Sequence, residues 1–288
     1  MVEEEKPASN TTQEAKMHPS FVNVIRQKER LRAKLANIKH KIGIYSAKGG
    51  VGKTTVAVNI AFTLQKMGFK VGLLDADIDT PNISMFLGID EKMNIDKMPL
   101  QPLVKNGVKV ASTAMIVNDA EKPIIWRGPM IAKMLGDFFE NTDWGELDYL
   151  IIDLPPGTSD SPLTIMQLLE LDGFVIVTTP QRIAAMNSIR SGLMAKRLNS
   201  SLLGVIENMS DGNGVISKST QNVLEKLDVV LLGSVKLDGR YNSYSDIGKV
   251  PVLEDDEIYQ TFEDIVSLLP GNFSSLERDD AAKEKVEQ

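Results

Sequence analysis

The segment Tyr45 to Thr55, YSAKGGVGKTT, restricts this chain more than any other. Three glycines, Gly49, Gly50 and Gly52, lie between an apolar run ending at Tyr45 and TTVAVNIAFTLQKMG, whose apolar residues recur at helical spacing. Glycine permits positive φ and lets backbone N–H groups approach an anion without a Cβ in the way. The first turn of the helix adds unpaired donors and the positive end of its dipole. The segment fits G-x-x-x-x-G-K-[ST] except at the first position, where Ala47 replaces glycine. A strand, a phosphate-binding loop and a helix are therefore predicted. Gly49, Gly50, Val51, Gly52 and Thr55 line the phosphates, Lys53 reaches the β- and γ-phosphates, and Thr54 offers its hydroxyl to Mg2+.

The rest of the chain supplies a scaffold that such a loop can sit on. KVGLLDAD, DYLIIDLPPG, GFVIVTTP and LLGVIENM read as buried strands, separated by helical patterns at GPMIAKMLGDFFEN, SPLTIMQLLE, 184–198 and 219–227. LVKNGVKVAS reads as a hairpin around Asn106-Gly107, VVLLGSV as a short strand, and 257–268 as the last helix. This alternation predicts one α/β domain over 21–270, built on a single doubly wound, mostly parallel sheet with helices on both faces. An amphipathic helix is expected over 22–40, with Leu31, Leu35, Ile38 and Ile42 on its apolar face. Its basic side is either a solvated face or a surface for an acidic partner or nucleic acid. Residues 1–20 and 271–288 read as disordered tails.

Composition removes several chemistries. There is no cysteine, which excludes disulfides, thiolate nucleophiles and cysteine-ligated metal sites, and His18 and His40 have no partner at metal-ligand spacing. A formal charge of −7 gives no general reason to expect nucleic acid. No apolar run is long enough to span a bilayer and the N-terminus is too acidic for a signal peptide, so the expected location is cytoplasmic, without a membrane partner.

Lys48, a second lysine inside the loop, is not explained by the ordinary phosphate cradle. KGGVGKT resembles the deviant Walker A loop of the MinD/ParA/nitrogenase-iron-protein class of P-loop ATPases, in which the position held by Ala47 varies. The resemblance implies the P-loop NTPase fold, ATP and Mg2+ as cofactors, and a homodimer in which Lys48 reaches the partner's nucleotide and assists hydrolysis. It further implies that Asp77 orients the attacking water and helps hold hydrated Mg2+, with Asp75 as its supporting neighbour. Asp153 is the matching Walker B carboxylate for the metal, PPGT a γ-phosphate-sensing turn, and Asn208 an adenine contact. From the residues alone, Asp79 reads as a turn or cap residue, while Asp153 as a strand-end cap and Asn208 as a turn residue stay open.

IKHKIGIYSAKGGVGKTT, LLDADIDTPNI, WRGPM (Trp126–Met130), LDYLIIDLPPGTSD, VTTPQ and GVIENMS together resemble the Mrp/ApbC-type, nucleotide-binding-protein-like ATPases over about 38–257. Those proteins carry a labile [4Fe–4S] cluster to acceptor proteins, which implies an iron–sulfur client or scaffold as a partner. The family's C-x-x-C pair, expected shortly after ENMS, is absent, and the region reads SDGNGVISKST. Ser217 and Thr220 have the same separation, but hydroxyls are poor cluster ligands, so no residue is assigned to iron–sulfur binding. A positioning or partition ATPase of the MinD/ParA kind is the alternative. The C-terminal SSLERDDAAKEKVEQ has too few apolar residues for a membrane-binding helix, which weighs against its membrane-associated version. A metabolic P-loop enzyme is a third reading without a supporting substrate motif.

Overall fold

The computed structural model describes residues 19–94, 96–115, 128–158, 160–198 and 200–271. Both predicted tails fall almost wholly outside these residues, as do Trp126 and Arg127 of the WRGPM segment.

Eight strands form one sheet: β1 Ile38–Tyr45, β2 Val71–Asp75, β3 Leu103–Lys105, β4 Val108–Ser112, β5 Leu147–Asp153, β6 Gly173–Thr178, β7 Leu202–Ser210 and β8 Leu231–Lys236. Their order is β3-β4-β2-β5-β1-β6-β7-β8. Every pairing is parallel except β3 with β4, the hairpin at the edge, whose turn residues Asn106 and Gly107 take φ 45° and 84°. The positive φ at both positions is what Asn-Gly supplies.

β2 and β6 are buried along their entire length, which requires cover on both faces. The longer helices are α1 Pro19–Lys34, α2 Lys53–Lys66, α4 Gly128–Asn141, α5 Asp160–Leu168, α6 Arg182–Arg197, α7 Lys218–Leu227 and α10 Asp256–Val266. Among the described residues there are also three short α-helices, α3 Ile83–Phe86, α8 Arg240–Ser245 and α9 Pro251–Glu254, and a 3-10 helix at Thr113–Met115. α2 packs with α9 and α10, α1 with α4, and α6 with α7. Buried Asn59 ties α2 down: its Nδ2 donates to Thr55 O at 2.8 Å, and its Oδ1 accepts from Val252 N at 3.2 Å.

The first helix differs from the expected 22–40. It ends at Lys34, and Ile38–His40 open β1. Leu31, Leu35, Ile38 and Ile42 are all buried, so the helical spacing is real as burial. The turn at 35–37 changes the backbone while the inward face continues.

Topology now fixes where a ligand can collect. Ile44 pairs with Asp153, and Asp75 also pairs with Asp153, so β1, β2 and β5 end side by side. The chain leaves β1 toward β2 on one side, while β6 adjoins β1 on the other. Ligands of open α/β sheets gather at the carboxyl ends of strands beside such a switch point.

Candidate functional site

The loop after β1 is built as the glycines demand. Gly50 and Gly52 both take φ 79°, a conformation open to glycine and costly for other residues. A Cβ at Gly52 would also collide with the Asn208 amide nitrogen. Gly52 caps α2, and its carbonyl accepts the first intrahelical bond from Val56 N at 3.0 Å. The loop and the start of α2 therefore lie together at the carboxyl end of β1.

Two of the predicted residues converge on a third. Lys53 Nζ donates to Asp153 Oδ1 at 2.5 Å, and Thr54 Oγ1 donates to Asp153 Oδ2 at 2.6 Å. The pair is nearly dry, with side-chain exposures of 8% and 1% for Lys53 and Asp153. Burial pushes the Asp153 carboxyl up, while the Lys53 ammonium and the Thr54 hydroxyl pull it down, and the nearby Asp77 charge adds a smaller upward push.

Asp75 and Asp77 serve different ends. Asp75 is fully buried and accepts bonds from Asp77 N (3.2 Å), Ile83 N (3.0 Å) and Ser112 Oγ (3.1 Å). Burial and the adjacent Asp153 charge raise its carboxyl to about 7. Asp77, buried beside it, accepts from Thr80 N and Thr80 Oγ1, both at 3.0 Å. Asp75 thus anchors the segment that carries Asp77, and Asp79 lies exposed in the turn.

Lys48 is exposed, and among the described residues its ammonium has no hydrogen-bond or ion-pair partner. Val51 is buried and Thr55 half-buried. Asn208 lies on the opposite wall, its Nδ2 donating to Val51 O at 2.8 Å. Met209, the next residue, takes φ 58°, and the register with β8 slips between Asn208 and Ser210. This bulge turns Asn208 onto the loop. A 560 Å³ cleft beside Met209 is also lined by Pro180, Val215, Ile216 and Leu237.

The positions standing where a cysteine pair is expected are used otherwise. Ser217 is the N-cap of α7, its Oγ accepting from Thr220 N at 3.1 Å. The same hydroxyl donates to Glu207 Oε2 at 2.6 Å, and Ser217 N reaches that carboxylate at 3.1 Å. Glu207 is 1% exposed and Thr220 fully buried. Among the described residues no group of three or more His, Cys, Asp and Glu is arranged to hold a metal.

Sequence reasoning missed four contributors. Tyr45 and Ser46 lie inside the quoted loop segment, Ser112 ends an apolar strand, and Glu207 is the charged residue in GVIENMS. A polar residue in an otherwise apolar strand was the available signal for the last two.

Many known proteins resemble this chain in sequence or in fold. The ParA model described as NUBPL iron-transfer P-loop NTPase matches residues 37–269. An iron-sulfur cluster carrier protein of Methanocaldococcus jannaschii is 40% identical over 272 residues, covering 90% of this chain and 92% of its own. Its Aquifex aeolicus counterpart is 39% identical over 251 residues, covering 83% and 69%. A nucleotide-binding protein of Archaeoglobus fulgidus, solved with ADP, superposes with TM-score 0.69 at 33% identity, over 82% of this chain and 96% of that one. The septum site-determining protein MinD of Pyrococcus horikoshii shares the fold, with TM-score 0.62 at 23% identity, over 81% and 96%. The chain belongs to the family of NUBPL iron-transfer P-loop NTPases, and its Methanocaldococcus jannaschii and Aquifex aeolicus relatives are named iron-sulfur cluster carrier proteins.

Proposed function

We propose that this protein is a homodimeric, Mg2+-dependent ATPase that serves iron–sulfur protein assembly without holding a cysteine-ligated cluster itself. The carrying observation is the convergence of Lys53 and Thr54 on buried Asp153 at the mouth of a glycine loop. An arriving triphosphate offers Lys53 a second anionic partner, and the loop N–H groups and the start of α2 bind its oxygens.

The donor set suits Mg2+. Thr54 Oγ1 and the Asp153 carboxylate are hard oxygen donors 2.6 Å apart, with Asp77 close enough to raise Asp153. Mg2+ commonly takes one or two carboxylates with the rest from water and phosphate. Thr54, Asp153 and Asp77 would hold it, and it would offset charge on the phosphate oxygens. Asp77 orients the water that attacks the γ-phosphate. Asn208 contacts the adenine edge, and the apolar wall of Pro180, Met209 and Leu237 offers a face for the ring.

Lys48 acts in trans. Its exposed, unpartnered ammonium is consistent with reaching a second copy's nucleotide and stabilising transition-state charge there. Cluster cargo does not suit this chain's ligands: it has no cysteine, and Ser217 and Thr220 are turned into the α7 cap. The reading is therefore of an ATP-driven partner to a client or scaffold that owns the cluster, working in the cytoplasm. No helix among the described residues is long and apolar enough to cross a membrane. The test is steady-state phosphate release by the full chain with ATP and Mg2+. Turnover is expected for the native chain, and Lys48→Ala should lose about 100-fold or more while retaining ADP affinity. Normal turnover in Lys48→Ala would remove the trans role.

A further inference from the structure

Tyr45 is fully buried at the last position of β1, where the loop segment that carries Lys48 begins. An apolar residue would satisfy that position, since its neighbours Ile42 and Ile44 do so by packing. The ring instead brings a hydroxyl to the turn after Asp153: Tyr45 OH donates to Gly157 O at 2.5 Å. Burial raises that phenol, so it remains an O–H donor across the working pH range. The same turn is held a second time, with Gly157 N donating to Ser46 O at 3.0 Å. Ser46 Oγ in turn donates to Lys48 O at 3.0 Å. A continuous set of hydrogen bonds thus runs from Gly157 through Tyr45 and Ser46 to the backbone of Lys48.

We infer that Tyr45 is a positioning residue that makes the phosphate loop and the turn Pro155–Thr158 move as one body, so that the turn reports which phosphate occupies the loop. Lys53 and Thr54 tie the loop to Asp153 at the end of β5 but do not reach Gly157, so without further bonds the turn would respond to a ligand independently of the loop. Bonds at both the carbonyl and the N–H of Gly157 remove that independence. Gly157 takes φ 95°, and a Cβ there would meet nothing within 4 Å. The residue is thus constrained by backbone conformation and by its two bonds, with open space around it for a shift. The inference rests on the ATPase reading, because the turn needs a γ-phosphate to sense.

Tyr45→Phe keeps the buried ring and removes the hydroxyl. In the full chain it should lower kcat about three- to tenfold, the worth of one hydrogen bond. Affinity for ADP should hold, while affinity for a non-hydrolysable ATP analogue falls by a similar factor. A residue that merely stabilised the fold would move both nucleotides together or lower the melting temperature alone. Gly157→Ala strains the same turn from its other side without touching Tyr45, and it should also narrow the preference for the ATP analogue over ADP. The double variant should be little worse than either single one, because both break one connection. Should Tyr45→Phe fail to fold, Gly157→Ala alone carries the test through the ATP-to-ADP affinity ratio. Native turnover together with an unchanged kcat and affinity ratio in Tyr45→Phe overturns the inference and leaves the ATPase intact. A native chain that neither binds nor hydrolyses ATP removes the ATPase reading, and the inference with it.

Discussion

The loop end of β1 and the bulged end of β7 lie on neighbouring parts of the same sheet edge, yet they treat polar groups in opposite ways. Around Gly49–Thr54, Lys53 and Thr54 meet the buried Asp153 carboxylate beside the glycine loop. Around Glu207–Thr220, the hydroxyls of the expected cysteine positions are spent on the protein itself: Ser217 caps α7 and bonds Glu207, and Thr220 is sealed beneath. The first gathers its polar side chains beside the exposed Gly49 and Gly50, whereas the second ties a helix cap to a buried carboxylate. A member of this family can therefore keep its glycine-loop geometry while using the segment beside it as a helix cap, because the two regions touch through Asn208 and Val51 and share no other group described above.

The largest expected effect breaks the open side of this comparison. Lys53→Ala removes the ammonium proposed to bind phosphate and leaves Asp153, 1% exposed, without its counter-ion. Turnover should fall at least about 100-fold, and the unpaired buried carboxylate should cost about 3 kcal/mol of stability, seen by urea denaturation at neutral pH. Equal stability would mean that Asp153 is already neutral in the folded chain.

A second, smaller effect sharpens the same region through pH. The Asp75 carboxyl sits at about 7 against an ordinary 3.8. Between about pH 4 and 7 the folded chain keeps a proton that the unfolded chain has released. This contribution is complete below about pH 4 and is lost as pH rises through about 7. Asp75→Asn should flatten that slope by up to one proton, measured as unfolding free energy from pH 4 to 8. An identical slope in the variant would show that another group carries it.

Much of this site could be read in the chain, and the remainder could not, for reasons visible in particular residues. Lys53, Thr54 and Asp153 announce themselves because a phosphate loop and a buried strand-end carboxylate have local signatures. Asn106-Gly107 does the same for the β3–β4 hairpin. The end of α1 was obscured because its apolar spacing runs on into β1 without interruption. Helices α3, α8 and α9, of four to six residues, are too short to show a period. Tyr45 and Gly157 lie 112 residues apart, and nothing near either of them names the other. Glu207 was visible as a charge inside an apolar strand, but its partner Ser217 was not, since the loop between them has no repeating pattern.

The smallest effect tests the closed side. Ser217→Ala removes an N-cap and one of the donors to a buried carboxylate, and should cost about 1 kcal/mol in denaturant unfolding. Nucleotide turnover should be unchanged, because Asn208, not Ser217, touches the loop. Ser217→Thr keeps a hydroxyl at the cap and should recover most of the loss. Ser217→Cys is the informative comparison, since a thiol is a weak donor and acceptor. If cysteine costs as much as alanine, a thiol at this position forgoes the cap, and binding iron there would first require the 211–217 loop to open from Glu207. If alanine costs nothing, the hydroxyl does not hold the loop, and the contrast between an open phosphate site and a closed neighbour loses its physical basis.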